Sequence, residues 1–290
     1  LAVTTHDANN ADVHANTRPT HDEIERPIHM SSADVPPVVL TELDDEGVFK
    51  ITMNRPARRN AMNPEAFRAT GEAFAEANKN PAVAAVLLTG AGGDFSSGLD
   101  LTAPPDSTGG PQPFEVLMDA VCALEKPLIA SVQGCGIGFG MTVLFHCDVV
   151  YLGKSARLRM PFANLGLVTE AAASYLAPLA IGPKQAAELL YTADWVDADR
   201  ALEYGIATRI YPDEEVLAEA TAKAHQIAQW PVSSLVEMKR LIKSFHRESI
   251  AKARSMENDA MARLFGGPEN KEAISAFIEK RDPDFKQFRK

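Results

Sequence analysis

Gly93-Asp94-Phe95-Ser96-Ser97-Gly98-Leu99-Asp100-Leu101 and Gln133-Gly134-Cys135-Gly136-Ile137-Gly138-Phe139-Gly140-Met141-Thr142 are two glycine-rich turns in one chain. Each follows an apolar, β-rich run, Val83 to Thr89 for the first and Leu128 to Val132 for the second. The second turn leads directly into a helical pattern that reaches Phe145. Glycine permits positive φ and lets a ligand come close to backbone amides. The unpaired N–H groups of a helix start, with the dipole behind them, favour negative charge. Three familiar glycine motifs fail residue by residue. Gly93 to Gly98 has the spacing of a P-loop, but Leu99 stands where lysine is required. A dinucleotide fingerprint begun at Gly134 needs glycine at 139, which is Phe139. A GxSxG elbow about Ser96 needs glycine at 94, which is Asp94. Glycines that serve only tight turns remain an open reading of either stretch.

Working outward, the chain repeats one grammar. Val38 to Leu43 and Val48 to Met53 read as a hairpin joined by Asp44-Asp45-Glu46-Gly47, with Phe49, Ile51 and Met53 alternating against polar neighbours. Asn63-Pro64 starts a helix, because Asn supplies a cap oxygen and proline suits the first helical position. A helix over Pro113 to Glu125 leads to the strand Leu128 to Val132, and a further strand follows at Val149 to Leu152. Strands alternating with helices predict an α/β core. Beyond Asp197 the pattern is almost entirely helical: Glu214 to Gln229, Val232 to Phe245, Glu248 to Leu264 and Lys271 to Arg281. Thr169-Glu170 reads as the start of an alanine-rich helix ending before Pro178.

Composition narrows the class. With 46% apolar and 23% charged residues in 290, the chain is an ordinary globular protein rather than a disordered or collagenous one. Twenty-nine basic against 39 acidic residues leave a net charge of −10, which argues against tracking a nucleic-acid backbone. The three cysteines, Cys122, Cys135 and Cys147, have no metal-type pairing and suit a reducing compartment. Residues 1–35 contain no aromatic side chain and predict a flexible arm, and the scattered His6, His14, His21 and His29 read as solvated rather than metal-binding. Leu1 to Asn10 lacks the pattern of a secretory leader, and the ending Phe288-Arg289-Lys290 is not the peroxisomal tripeptide. The uncharged stretch Pro127 to Phe145 is broken by glycines and reads as strand, turn and buried helix, not a membrane span. The expected location is the cytoplasm.

Four segments in this order resemble the crotonase (enoyl-CoA hydratase/isomerase) superfamily. Ile51-Thr52-Met53-Asn54-Arg55-Pro56, closing with Arg59-Asn60-Ala61-Met62, is similar to its first strand and loop. Phe95 to Leu101 resembles its first oxyanion segment, and Ala130 to Gly140 with Cys147-Asp148 its second. Ala276-Phe277-Ile278-Glu279-Lys280-Arg281 is similar to its C-terminal signature, so that the likeness spans residues 37 to 285. It implies an α/β fold, a crotonase-like spiral of stacked β-β-α units with a helical C-terminal region. The division is then a 1–35 arm, a 36–205 spiral core and a 206–290 helical region for oligomerisation and active-site cover. It also implies an acyl-CoA substrate, with coenzyme A as part of that substrate and no separate cofactor or metal, and a homotrimer or dimer of trimers.

Carried over position by position, the likeness assigns the oxyanion hole to the backbone N–H groups of Leu99 and Phe139. It puts the 3′-phosphate and adenine of coenzyme A near Arg58, Arg59 and Ala61; the lysine common just after Asn-Arg-Pro is here Ala57, so Arg58 or Arg59 is expected to take over its charge. Ser97, Asp100 and Leu101 fall beside the first amide, Asp100 also ordering its turn. Phe277 and Lys280 are implied to reach the coenzyme A site of a neighbouring subunit. Hydratases of the family use two glutamates, whose positions are occupied here by Thr142 and Phe162. Pro161-Phe162-Ala163-Asn164-Leu165-Gly166-Leu167-Val168-Thr169-Glu170 resembles the corresponding segment of peroxisomal-type Δ3,Δ2-enoyl-CoA isomerases, where one Glu at the Glu170 position moves the proton. Glu170 is therefore the expected catalytic carboxylate, its apolar neighbours raising its pKa. A first-turn Glu serving only the helix dipole is the competing structural reading. Asp148 is expected to cap or pair structurally, and His146 to be a satisfied core histidine. The expected activity is a shift of the double bond from carbon 3 to carbon 2. The alternatives are enoyl-CoA hydration, acyl-CoA hydrolysis, or acyl-CoA binding without catalysis.

Overall fold

The computed structural model describes residues 36–104, 106–107 and 109–289; the expected arm over 1–35, with its histidines, lies outside them. In chain order the elements are β1 (Val39–Leu43), β2 (Val48–Met53), α1 (Pro64–Lys79), β3 (Ala85–Gly90), α2 (Pro113–Ala123), β4 (Leu128–Val132), β5 (Cys135–Ile137) and α3 (Phe139–Thr142). They continue with β6 (Val149–Gly153), β7 (Arg157–Arg159), α4 (Ala173–Ile181), α5 (Pro183–Thr192), β8 (Val196–Asp197), α6 (Ala198–Glu203) and β9 (Arg209–Tyr211). Four helices end the chain: α7 (Asp213–Ala228), α8 (Val232–Ser244), α9 (Arg247–Leu264) and α10 (Pro268–Glu279).

The α/β architecture is the expected one. A six-stranded sheet has the order β1-β2-β3-β4-β6-β9, in which only the β1–β2 hairpin is antiparallel. Its central parallel strands β3 and β4 are buried on both faces, which is why they read as continuous apolar runs. Phe49, Ile51, Val86, Leu88, Leu128 and Ala130 point to the larger core. Their neighbours Val48, Ala85, Leu87 and Ile129 point the other way, against Val216, Ala220 and Ala224 of α7. Asn63 caps α1 as its sequence implies, its Oδ1 accepting from Ala66 N at 2.8 Å.

Four local expectations are corrected. The second glycine turn holds a short strand, β5, which pairs with β7 and through it with β8 in a separate three-stranded sheet. The region after 206 is not purely helical, since β9 joins the main sheet beside β6. The helix expected from Thr169 begins only at Ala173, because Ala171 and Ala172 both take the left-handed conformation at φ 58°. That helix also runs through Pro178 rather than ending before it. Among the described residues no helix is long and apolar enough to cross a membrane.

One ion pair with a buried lysine fastens the C-terminal helices to the sheet. Lys239 of α8, 5% exposed, donates to the Lys126 carbonyl at 2.6 Å and pairs with Asp148 at 2.8 Å. Asp148 in turn accepts from Leu128 N at the start of β4, the structural role expected of it. Burial pulls the Lys239 ammonium down to about 8, against the pull of Asp148. Losing Lys239 takes away its charged hydrogen bonds to Asp148 and Lys126 O, while Asp148 keeps solvent and the Leu128 amide. Lys239→Ala is expected to lose about 2 kcal/mol in urea unfolding; an unchanged midpoint would mean that the pair contributes nothing to holding α8.

Candidate active site

The two glycine turns are laid side by side. Phe95 N donates to Gln133 O, Ser96 N to Cys135 O and Ile137 N to Ser96 O, all at 2.9 Å, so that the turns form a short parallel ladder. Asp94 couples them again through its side chain, Oδ1 accepting from Cys135 N at 2.8 Å. Arg59 holds that carboxylate with Nε at 2.9 Å and Nη2 at 3.1 Å and keeps it well below the ordinary range. Asn60, buried, spans the gap to the first turn: its amide donates to Ala91 O and Asp94 O, and its Oδ1 accepts from Arg55 N.

Beyond this ladder lie the two amides singled out by the sequence. Met62 N donates to Gly98 O at 2.7 Å and Asp100 N donates to Met62 O at 3.0 Å. In a parallel bridge of this kind the residue between, Leu99, turns its own N–H to the opposite side. Phe139 opens α3, where the first amides have no internal acceptor. Among the described residues neither the Leu99 nor the Phe139 N–H has a protein acceptor. The residues just before them touch: a Cβ on Gly98 would stand 2.6 Å from Ile137 O and 3.6 Å from Gly138 Cα. Both glycines have positive φ, +80° and +55°, which side chains resist.

The Phe139 ring is fully buried and packs edge-on against Phe67 of α1 at 5.7 Å and Phe114 of α2 at 6.4 Å, those two rings being 5.6 Å apart. This aromatic trio thus makes room for the Phe139 side chain. Arg55 pairs with Asp100 at 3.0 Å and also donates to the Ala61 carbonyl, tying the turn after Leu99 to the loop after β2. Asp100 Oδ1 receives Thr102 N and Oγ1, as its turn-ordering reading requires.

Glu170 precedes α4. It keeps a little surface, but its carboxyl lies deep among protein atoms, and no hydrogen bond or ion pair reaches it from the described residues. Desolvation first, then the nearby Glu257 and Glu115 carboxylates, push it up to about 8. It does not sit in a helical first turn, because two left-handed residues separate it from Ala173. His146, at the end of the helical segment opened by Phe139, places Nε2 2.7 Å from Ala171 O. Burial draws that histidine down to about 4, so it is neutral and donates from Nε2, a satisfied core residue as expected. Thr142 and Phe162, at the two positions of the missing glutamates, are both buried; the Thr142 hydroxyl donates to Phe139 O.

The remaining expected residues divide. Arg58 is exposed with no ion pair among the described residues, whereas Arg59 is committed to Asp94. Ala61 and Ser97 lie in the same loop cluster, Ser97 N donating to Arg59 O at 2.9 Å, and Leu101 follows Asp100 there. Phe277 and Lys280 are exposed at the end of α10, and no hydrogen bond or ion pair joins them to this cluster. Arg55, Asn60 and Asp94 carry the cluster yet were not singled out, although each lies inside a quoted motif. Glu115 and Glu257 had no such signal, the one coming from the first turn of α2 and the other from the middle of α9, both far off in sequence. At the surface, Asp44, Glu46 and His225 bring their ligand-type atoms within 4.8 Å of one another, His225 Nε2 pairing with Asp44 at 2.8 Å across β1–β2 and α7.

The sequence profile of the enoyl-CoA hydratase/isomerase family matches residues 44–289. Among curated relatives, crotonyl-CoA hydratase of Syntrophomonas wolfei is 30% identical, over 83% of this chain and 95% of that one. Enoyl-CoA delta isomerase 2 of Homo sapiens is also 30% identical, over 83% of this chain and 64% of the human protein. The crystal structure of an enoyl-CoA hydratase/isomerase from Pseudoalteromonas atlantica T6c superimposes with a TM-score of 0.83, at 36% identity, covering 86% of this chain and 99% of that one.

The contact of the two turns makes a direct demand on Gly98. Gly98→Ala combines a left-handed φ with a carbon 2.6 Å from Ile137 O, and is expected to cost about 2 kcal/mol. A thermal melt indistinguishable from that of the parent chain would refute the backbone-to-backbone packing.

Proposed function

This chain belongs to the enoyl-CoA hydratase/isomerase family, and from that premise we propose that it moves the double bond of an enoyl-CoA from carbon 3 to carbon 2. The thioester carbonyl is received by the Leu99 and Phe139 amides. Ionised Glu170 removes a proton from carbon 2, and the electron pair spreads over the conjugated system to the carbonyl oxygen. Glu170 then returns the proton to carbon 4, the double bond settles between carbons 2 and 3, and the carboxylate is regenerated. No water is consumed. One amide donor to such an oxyanion is worth about 10²–10³ in rate when it is fixed beforehand.

The observation that carries this reading is Glu170 itself, a single carboxyl with no protein partner among the described residues and an acidity suited to both taking and giving a proton. Hydration needs a second proton-handling group. Neither Thr142 nor Phe162 supplies a carboxyl at the family positions, and Glu115 is held by Arg254 at 2.6 Å. Arg58, exposed and uncommitted, is the cation we assign to the phosphates of coenzyme A, which arrives as part of the substrate. We assign the assembly to a homotrimer or dimer of trimers, supported by the exposed Ile242 (68%), Phe245 (85%) and Ile278 (70%) of the C-terminal helices and adjoining turns.

Glu170→Gln, incubated with a 3-enoyl-CoA, is expected to lower kcat by about 10²–10⁴; near-normal formation of the 2-trans product would reject the role. Because the base must be ionised, kcat/KM should fall as pH drops below about 8. A profile flat from pH 6 to 9 would contradict this. Water addition to a 2-enoyl-CoA, or tight acyl-CoA binding without turnover, would favour the alternatives. Light scattering is expected to give three or six times the 31.3 kDa of one chain, and a monomer would remove the assembly.

A further inference from the structure

α9 faces the site with two charged side chains one turn apart. Arg254 reaches α2, binding Glu115 at 2.6 Å and Asp119 at 2.9 Å. Glu257 reaches α4, its Oε2 accepting from Ala172 N at 2.7 Å and its Oε1 from Ser174 N at 2.8 Å. Glu257 is only 5% exposed, so an acidic side chain has been taken out of water to meet two main-chain amides. Desolvation leaves its pKa raised, against the opposing pull of the Ser174 hydroxyl, the two amides and Arg254.

What those amides belong to gives the contact its meaning. Ala171 O and Ala172 N are the two ends of a single peptide group. His146 Nε2 holds the carbonyl end and Glu257 holds the N–H end. That peptide joins two consecutive alanines at φ 58°, a conformation that a residue with a Cβ adopts only when its surroundings impose it. It starts one residue after Glu170. Left to its own preference, Ala171-Ala172 would continue α4 toward its N-terminus, and the Glu170 side chain would leave the axis of that helix in another direction.

We propose that Glu257 is a positioning residue for Glu170: by gripping the 171–172 peptide opposite His146, it holds the left-handed turn that aims the Glu170 carboxyl. The inference rests on Glu170 being the proton-transfer residue. Glu257 does not touch substrate in this account. It acts through the backbone, and its negative charge adds to that of Glu115 in opposing ionisation of Glu170. The other charged or titratable groups around this spot are Arg254 on α9, Asp119 and the Cys122 thiol on α2, neutral His146, and Lys239 and Lys243 of α8, the Lys243 ammonium donating to His146 O at 3.1 Å. α9 is thus a brace whose register sets both the direction and the acidity of a group on another element.

The test is a titration that needs no turnover. Protein labelled with ¹³C at the glutamate side-chain carboxyls is followed by NMR against pH, the Glu170 resonance being the one missing from Glu170→Gln. In the parent chain its midpoint is expected near 8. In Glu257→Gln, which keeps the shape and one acceptor but not the charge, the midpoint should move down toward the ordinary carboxylate range. With a 3-enoyl-CoA, kcat should fall at least about tenfold while KM stays within about twofold, as for loss of an interaction made in the transition state. Glu257→Ala, which removes both acceptors, should lose more.

If either variant is too unstable to study, Ala172→Gly is added to it, since glycine takes φ 58° without strain and restores the turn while leaving the charge deleted. The midpoint must then still be lowered. A folded Glu257→Gln protein with an unmoved Glu170 midpoint and kcat within about twofold of the parent would overturn the proposal. A shifted midpoint in a protein whose parent form turns over no 3-enoyl-CoA would overturn the assigned reaction and leave the positioning role standing.

Discussion

The site depends on one packing constraint, the direct contact of two chain reversals at Gly98 and Gly138. A parallel ladder of main-chain hydrogen bonds draws the turns together, and the absence of side chains at these two positions lets the backbones meet. The amides that follow are then brought close by construction. Their directions are set by the backbone itself, so in the proposed reaction a developing negative charge would meet donors already oriented. Asp94, shared between Arg59 and the Cys135 amide, ties the two turns together a second time.

The second determinant is electrostatic. A carboxyl moved from water into protein resists ionisation, and two neighbouring carboxylates resist it further. Elsewhere in this chain acidic groups are brought in with partners: Asp148 with Lys239, Asp100 with Arg55, Glu115 with Arg254. Glu170 is the exception, its carboxyl having no partner among the described residues, and this contrast is what supports the proton-transfer role proposed for it. Its neutral neighbour His146 adds no counter-charge, because burial has already removed its proton. Neutral histidine here supplies direction, through a hydrogen bond to a carbonyl, rather than charge.

Much of this was legible before any coordinates. The hairpin, the Asn63 cap and the apolar runs of β3 and β4 follow from alternation, capping chemistry and two-sided burial, and all stand as read. The strands β5, β7, β8 and β9 were not legible, because two or three residues give no period to detect and their partners lie in other parts of the chain. The turn at Ala171-Ala172 was misread for a different reason: alanine is the strongest helix former, and local preference points away from the conformation that tertiary hydrogen bonds enforce. Leu99, Phe139 and Glu170 were singled out because they lie in contiguous motifs. Glu257 was invisible because its partner amides are 85 and 83 residues away, and a mid-helix glutamate looks like any other.

The trio of Phe67, Phe114 and Phe139 has a consequence for how this chain tolerates substitution. The proposed reaction uses only the amide of Phe139, while its ring is mortar between α1 and α2. Glycine at position 139 would open a hole where a whole phenyl group now sits, a loss of about 3–5 kcal/mol by analogy with truncating buried aromatics. The three rings therefore behave as one block: shrinking any of them loosens both helices, and only a compensating enlargement of a neighbouring ring would refill the gap.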